Sequence, residues 1–227
     1  MRAIPSMLLF VICAAAADQP AEPVTAIVTH DPSGAATVKV HNGASSALTG
    51  FNYIYTLHRD PNGATYNATM GYYDSLTDPQ IAQTVPPGGD IVLPYRIGGN
   101  GMYAKFTVAA SLFADGTSFG EKATVQKILD RRNYMLVSLN KSIGELTEAS
   151  KDNLTREQII AQFQMALNQE MGAGMDQDLN YCIQTVRGLV LATLRSARAA
   201  DGTPTPTATL VQLLLETLKA RRELLKK

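Results

Sequence analysis

FADGTSFGEKATVQKIL, residues 113–129, changes character within a few positions: an apolar strand end, a turn carrying Asp115 and Gly116, then residues spaced for a helix. Before it, apolar side chains recur at every second residue; after it they recur at every third or fourth. That switch predicts a segregated α+β chain, with an antiparallel β-sandwich over residues 18–120 and a helical region over residues 121–227.

Working back from the switch, KFTVAASLF (105–113) aligns Phe106, Val108, Ala110 and Leu112 on one face. FNYIYTLH (51–58) sends Phe51, Tyr53, Tyr55 and Leu57 one way and Asn52, Ile54, Thr56 and His58 the other. ATVKVHN (36–42) pairs Val38 with Val40. Between these runs stand DPSG (31–34), DPNG (60–63), PPGG (86–89) and ADG (114–116), where Pro pre-sets φ and Gly supplies positive φ for chain reversal. Six to eight strands without helical periodicity predict a sandwich, with a small barrel as the alternative.

Working forward, Val125, Ile128, Leu129, Met135, Leu136, Leu139, Ile143 and Leu146 form one stripe on a long helix. TREQ (155–158) reads as a capping box opening a second helix, in which Ile159, Ile160, Phe163, Leu167 and Met171 face the core. A third helix over 177–199 aligns Leu179, Cys182, Ile183, Val186, Val190 and Leu194, and a fourth opens near Pro206. Short connections favour antiparallel neighbours, so a four-helix region is expected. In the last helix, Leu210, Val211, Leu213, Leu214, Leu215, Leu218, Leu224 and Leu225 cover an arc of about 200°. Burial within the helical half, completed by a homodimer through this helix, is expected ahead of membrane association. Arg221 and Arg222 project within the same arc.

The chain starts MRAIPSMLLFVICAAAADQP, one Arg followed by an apolar run from Met7 to Ala17 that is too short to span a bilayer. Small residues at Ala15 and Ala17 predict a signal peptide, residues 1–17, cleaved before Asp18, and therefore a periplasmic or extracellular protein. A lipoprotein anchor on Cys13 is the rival reading, and Ile12 stands where that signal needs a small residue. Cleavage leaves Cys182 as the sole thiol, so no internal disulfide is expected.

Residues 18–120 hold four Lys or Arg against eight Asp or Glu, and residues 121–227 hold fifteen against twelve. Neither half carries the strong basic patch that a nucleic-acid partner requires. The offset suits the two halves for docking on one another.

The strand VKVHNGASSALTGF and the passage through FADGTSFGE into a helical tail resemble uncharacterised exported bacterial proteins, over residues 24–132. In that pattern an immunoglobulin-like or fibronectin-like domain precedes the helices. The resemblance implies export and a sandwich with Phe51 and Phe113 as core aromatics, and it carries no catalytic residue.

Few residues are spaced for chemistry. His30, His41 and His58 lack Cys, Asp or Glu at ligand spacing, so surface or turn roles are expected and no metal site or cofactor is assigned. Cys182 lies within an apolar stripe, far in sequence from any His, and reads as a buried thiol rather than a nucleophile. Arg132, in the first helix's stripe, is expected to snorkel or to form a helix-to-sheet ion pair, with a ligand role as the alternative. Met165, Met171 and Met175 read as core filling rather than a soft-metal site. GYYDSL (71–76) with Tyr66 is the best recognition patch, giving Tyr66, Tyr72 and Tyr73 as candidate ligand-binding residues. The sequons at Asn67 and Asn153 are discounted for a bacterial signal. Three classes stay open: an exported, non-enzymatic interaction or scaffolding module for a protein partner, a carbohydrate or small-ligand module on the Tyr-bearing loops, and a hydrolase assembled only by folding.

Overall fold

The structure, a computed structural model, describes residues 22–226 apart from 61, 79–82, 94–95, 100, 172–175 and 199–201. The expected signal segment, Cys13 and Met175 lie outside the described residues. Among the described residues eight strands come first: β1 (Val24–His30), β2 (Ala35–Asn42), β3 (Leu48–His58), β4 (Thr65–Asp74), β5 (Asp90–Val92), β6 (Ile97–Gly98), β7 (Tyr103–Phe113) and β8 (Ser118–Gly120). Four helices follow: α1 (Lys122–Lys151), α2 (Arg156–Glu170), α3 (Gln177–Ser196) and α4 (Thr207–Leu225). This is the segregated α+β order that the change of period predicts.

All strand pairs are antiparallel, in two separate sheets rather than a closed barrel. One runs β1-β2-β5, with β6 also on β2; the other runs β4-β3-β7-β8. The turns form where the sequence supplies acceptors. Asp31 takes hydrogen bonds from the Ser33 N–H and hydroxyl and from the Ala35 N–H, which folds β1 back onto β2.

Alternation puts Val24, Ala36, Val38 and Val40 of the first sheet against Leu48, Phe51, Tyr53, Tyr73, Phe106 and Phe113 of the second, in one shared core. Phe51 stacks on Tyr73 at 4.9 Å and Tyr53 on Phe106 at 4.7 Å. Each such pair adds about 0.5–1.5 kcal/mol beyond burial of its area.

The helices have their own core. α1 contributes Met135, Leu139, Ile143 and Leu146; α2 adds Ile159 and Phe163; α3 and α4 supply a row from Cys182 to Leu194 and from Leu210 to Leu218. α1 packs on α3 and α4, and α2 packs on α3. Thr155 and Gln158 make the expected capping box, satisfying two backbone donors at the start of α2. The methionines behave differently from expectation: Met165 is 61% and Met171 42% exposed, because α2 turns only the Ile159–Phe163 face inward. The arc on α4 is also only partly covered, with Leu213 and Leu224 each 52% exposed.

One charged residue lies inside the helical core. Arg187, 2% exposed, sits in the stripe of α3 and is held by two carboxylates, Glu145 of α1 and Glu170 of α2, each through two hydrogen bonds of 2.6–3.0 Å. Lys141 also pairs with Glu170. The donor fork of Arg satisfies both partners at once, and its flat face lies over Phe163.

The sheets pass to the helices through Gly120, at φ 106°. A Cβ there would lie 2.3 Å from the Ala109 carbonyl oxygen. Only glycine lets the chain leave β8 flush against β7, where the register with β3 slips by one residue.

Candidate functional site

α1 leaves β8 and crosses the outer face of the second sheet, covering there Gly50 and Asn52 of β3, Tyr72 and Asp74 of β4, and Ala110 and Leu112 of β7. Val125 and Ile128 of α1 bury themselves against Ala110 and Leu112. One turn further on, the apolar contact gives way to two adjacent arginines.

Arg132 reaches down to the sheet. Its Nε and Nη2 donate to the two oxygens of Asp74 at 2.9 and 3.1 Å, and Nη2 also donates to the Thr49 hydroxyl at 2.9 Å. Thr49 in turn donates to the Leu112 carbonyl. Gly50 makes room for this pair, since a Cβ on it would lie 3.0 Å from Nη2 and 3.2 Å from the Asp74 carboxyl carbon. Between snorkelling and a helix-to-sheet ion pair, the ion pair is the one that forms.

Arg131 points to the other flank. Its guanidinium lies between the rings of Tyr72 at 4.8 Å and Tyr181 at 4.0 Å, and Nη1 donates to Asp178 of α3 at 2.9 Å. Burial, and then the Asp178 carboxylate, push the Tyr72 phenol up to about 12, so it stays protonated at neutral pH. The Cys182 thiol donates to the Arg131 carbonyl, and burial pushes it up to about 12 as well. It is a buried structural thiol, as expected, and in this state it is no nucleophile.

The junction is therefore polar, and incompletely bonded. Both amide atoms of Asn52, which is wholly buried, make no hydrogen bond within the protein, and neither do Thr77 Oγ1, Arg131 Nε or Arg221 Nε. Arg221, on the inner end of α4, is lowered from the usual arginine range by its burial. Buried groups of this kind are uncommon in a packed interior, and Ser111 Oγ of β7 and Asn180 Oδ1 of α3 are two more.

Beside Arg132, between the β7–β8 turn, α1 and the last turn of α4, lies a groove of about 430 Å³. Its walls are Leu76, Leu112, Phe113, Leu129, Leu136 and Leu224, with Thr49, Arg132 and Asn133 as its polar members. Leu129 is 41% exposed, so that member of the predicted helical stripe lines the groove instead of the core.

The three tyrosines singled out from the sequence occupy three different settings. Tyr66 is 61% exposed near the tip of the β3–β4 hairpin, with the Arg59 guanidinium 5.2 Å above its ring. Tyr72 is half-buried at the junction. Tyr73, 1% exposed, is a core residue whose hydroxyl donates to the Gln83 carbonyl. Tyr72 and Tyr73 are neighbours in sequence, and alternation along β4 points them to opposite faces of the sheet.

The histidines are likewise dispersed. His30 bonds the backbone of Ala104, His41 bonds Asp90 across the first sheet, and His58 bonds Thr56 and the Gly63 carbonyl. His58 is 5% exposed rather than at the surface, because the irregular register between Leu57 and His58 turns it under the hairpin it pins. His41 and His58 belong to different sheets, and no cluster of three metal-binding side chains occurs among the described residues. No helix among the described residues is long and apolar enough to cross a membrane.

The sequence reading missed Arg131, Asp74, Gly50 and the buried Arg187. The signal that marks Arg187 is a charged residue in the middle of an apolar stripe, the same that marks Arg132. Set against family models, characterised proteins and solved structures, the chain matches none.

Proposed function

We propose that this chain is an exported, non-enzymatic interaction module, with its signal peptide removed after Ala17 and its first half an immunoglobulin-like sandwich. The observation that carries the reading is the part of the second sheet's outer face lying beyond α1. There Ile54 of β3 and Met70 of β4 stand opposite each other, 37% and 43% exposed, and Tyr66 continues along the same edge strand. Paired apolar side chains on an open sheet face, beside a terminal strand with free backbone groups, suit a protein partner that lies on the face or extends the sheet. Leu213 and Leu224 on α4 provide a second apolar surface, which fits a homodimer through the C-terminal helix.

A small-ligand role for the hairpin tip is the second reading. Arg59, Asp60, Gly63 and Tyr66 surround a hollow of about 460 Å³ there, but the guanidinium over Tyr66 already occupies the ring face a sugar would need.

Affinity capture from the exported fraction, with residues 18–227 as bait, tests the main reading. The expected result is one partner retained by the native protein and lost with the double variant Ile54→Asp, Met70→Asp at unchanged melting temperature. A partner retained equally by the variant would place the interaction elsewhere. Intact mass of the exported protein gives the start: Asp18 is expected, and a lipidated Cys13 or a retained Met1 would overturn the localisation.

A further inference from the structure

The groove beside Arg132 has the dimensions and the chemistry of a small-molecule site rather than of a protein contact. Its volume of about 430 Å³ falls in the range of ligand cavities, roughly 300–1,000 Å³, and holds a molecule of about twenty non-hydrogen atoms. A stable protein interface buries about 800 Å² on each side, far more than the wall of one such hollow presents.

The polar groups fix what kind of molecule fits. Arg132 spends Nε and Nη2 on Asp74 and Thr49, and its Nη1 makes no hydrogen bond to another described residue. Thr49 is fully committed, accepting from Arg132 and donating to Leu112. Nη1, with its two N–H groups, is therefore the free donor of Arg132, on a mainly apolar wall whose other uncommitted polar side chain is Asn133. The positive charge of Arg132 is already matched by the Asp74 carboxylate, which is 1% exposed, so an anionic ligand would add an uncompensated charge to a poorly solvated place. An uncharged ligand with a single acceptor satisfies the donor without that penalty.

We propose that the groove between the β7–β8 turn, α1 and the end of α4 binds one small, uncharged, mainly apolar molecule, whose carbonyl or hydroxyl oxygen accepts a hydrogen bond from Arg132 Nη1. The two bodies supply different parts of the site. The sheet side contributes Leu112 and Phe113, α1 contributes Leu129 and Arg132, and α4 closes the groove with Leu224. Occupancy thus couples the docking of the helices on the sheet to the presence of the ligand, because neither body holds the site alone. The proposal rests on the reading of the chain as a binding module and names a ligand class for a groove separate from the Ile54–Met70 face, sharing only Leu224 with the apolar surface of α4.

The uncharged naphthyl ketone fluorophore prodan supplies the test, since it carries one carbonyl acceptor and its emission shifts to the blue in an apolar site. Titrated against residues 18–227, it is expected to saturate at one molecule per chain, at least about tenfold tighter than the anionic dye anilinonaphthalene sulfonate. Leu129→Trp, which fills the groove from an exposed position, should weaken prodan by about tenfold or more without lowering the melting temperature. Leu224→Glu on the opposite wall should do the same. Non-saturating binding, equal preference for the anionic dye, or indifference to both variants would overturn the proposal. The Ile54→Asp, Met70→Asp protein separates the two ideas. It should bind prodan normally, so loss of partner capture with intact prodan binding, or the reverse, shows which of the two has failed.

Discussion

Replacing Arg132 by Met tests whether the sheets and helices behave as one body. The substitution keeps the stem that packs on α1 and removes every bond from Arg132 to Asp74 and Thr49. Asp74, 1% exposed, is then a buried carboxylate with one donor left, the Leu76 N–H, and with Arg221 as the remaining cation nearby. Stranding one partner of a buried pair costs about 3–5 kcal/mol, and the residual field of Arg221 places this case near about 3 kcal/mol. For a chain of this size that is a fall of about 6–12 °C in melting temperature. Asp74→Asn leaves Arg132 facing an amide that can donate as well as accept, and a similar loss is expected. The double variant Arg132→Met, Asp74→Asn removes both charges together and should lose only about 1–2 kcal/mol, so the singles sum to more than the double. Urea unfolding of the four proteins, followed by circular dichroism with the slope of each transition compared, gives the coupling directly. Strict additivity, or single losses below about 1 kcal/mol, would show that the ion pair does not hold the two bodies together.

Three further outcomes are expected. Hydrogen bonding to Arg187, with Lys141 adding to it, holds the Glu170 carboxyl below the usual 4.5. Its folded value lies below its unfolded value, so the stability it contributes is fully present above pH 4.5 and is lost as pH falls through the lowered value; acid titration of helical circular dichroism should show this loss, shallower in Glu170→Gln. Cys182, buried and with its thiol pushed up to about 12, should resist a disulfide reagent in the native protein at neutral pH and react at once, one thiol per mature chain, in denaturant. Deleting residues 206–227 uncovers Met135, Leu139 and Ile143 as well as losing Leu210, Leu214 and Leu218 from the core, and should give aggregation or loss of helicity; a soluble product with unchanged helicity per residue would contradict the packing of α4 on α1.

Local signals were readable in the sequence and contacts between distant segments were not. The three quoted strand runs fall within β2, β3 and β7, because a half-buried strand writes its two faces into alternate residues. The Thr155 capping box and the start of α4 after Pro206 are equally local, each set by residues within one turn. The junction is different. Asp74 and Arg132 lie 58 residues apart, and nothing periodic links a buried Asp at the end of a strand to a helix four strands further on. Gly50 carries no local signal, because its role is to admit a guanidinium from another element. The three tyrosines do not share one surface, for a reason the sequence did contain: Tyr72 and Tyr73 are consecutive in a strand, so a period of two already separates them. Arg187 was hidden by its neighbours, since the carboxylates that neutralise it come from two other helices.

Gly120 gives the molecule a lever. α1 extends for thirty residues from the handover, about 45 Å at 1.5 Å per residue. A rotation of only 10° at its root would swing the far tip by about 8 Å, a distance comparable to the spacing between packed helices. The backbone of β7 presses on Gly120 so closely that a side chain at this position must displace the strand or turn the helix. The angle at which the helical half is presented is thus set by one residue that has no side chain. Gly120→Ala would leave each core with its full complement of side chains while changing where the surfaces at the two ends of the molecule stand relative to each other.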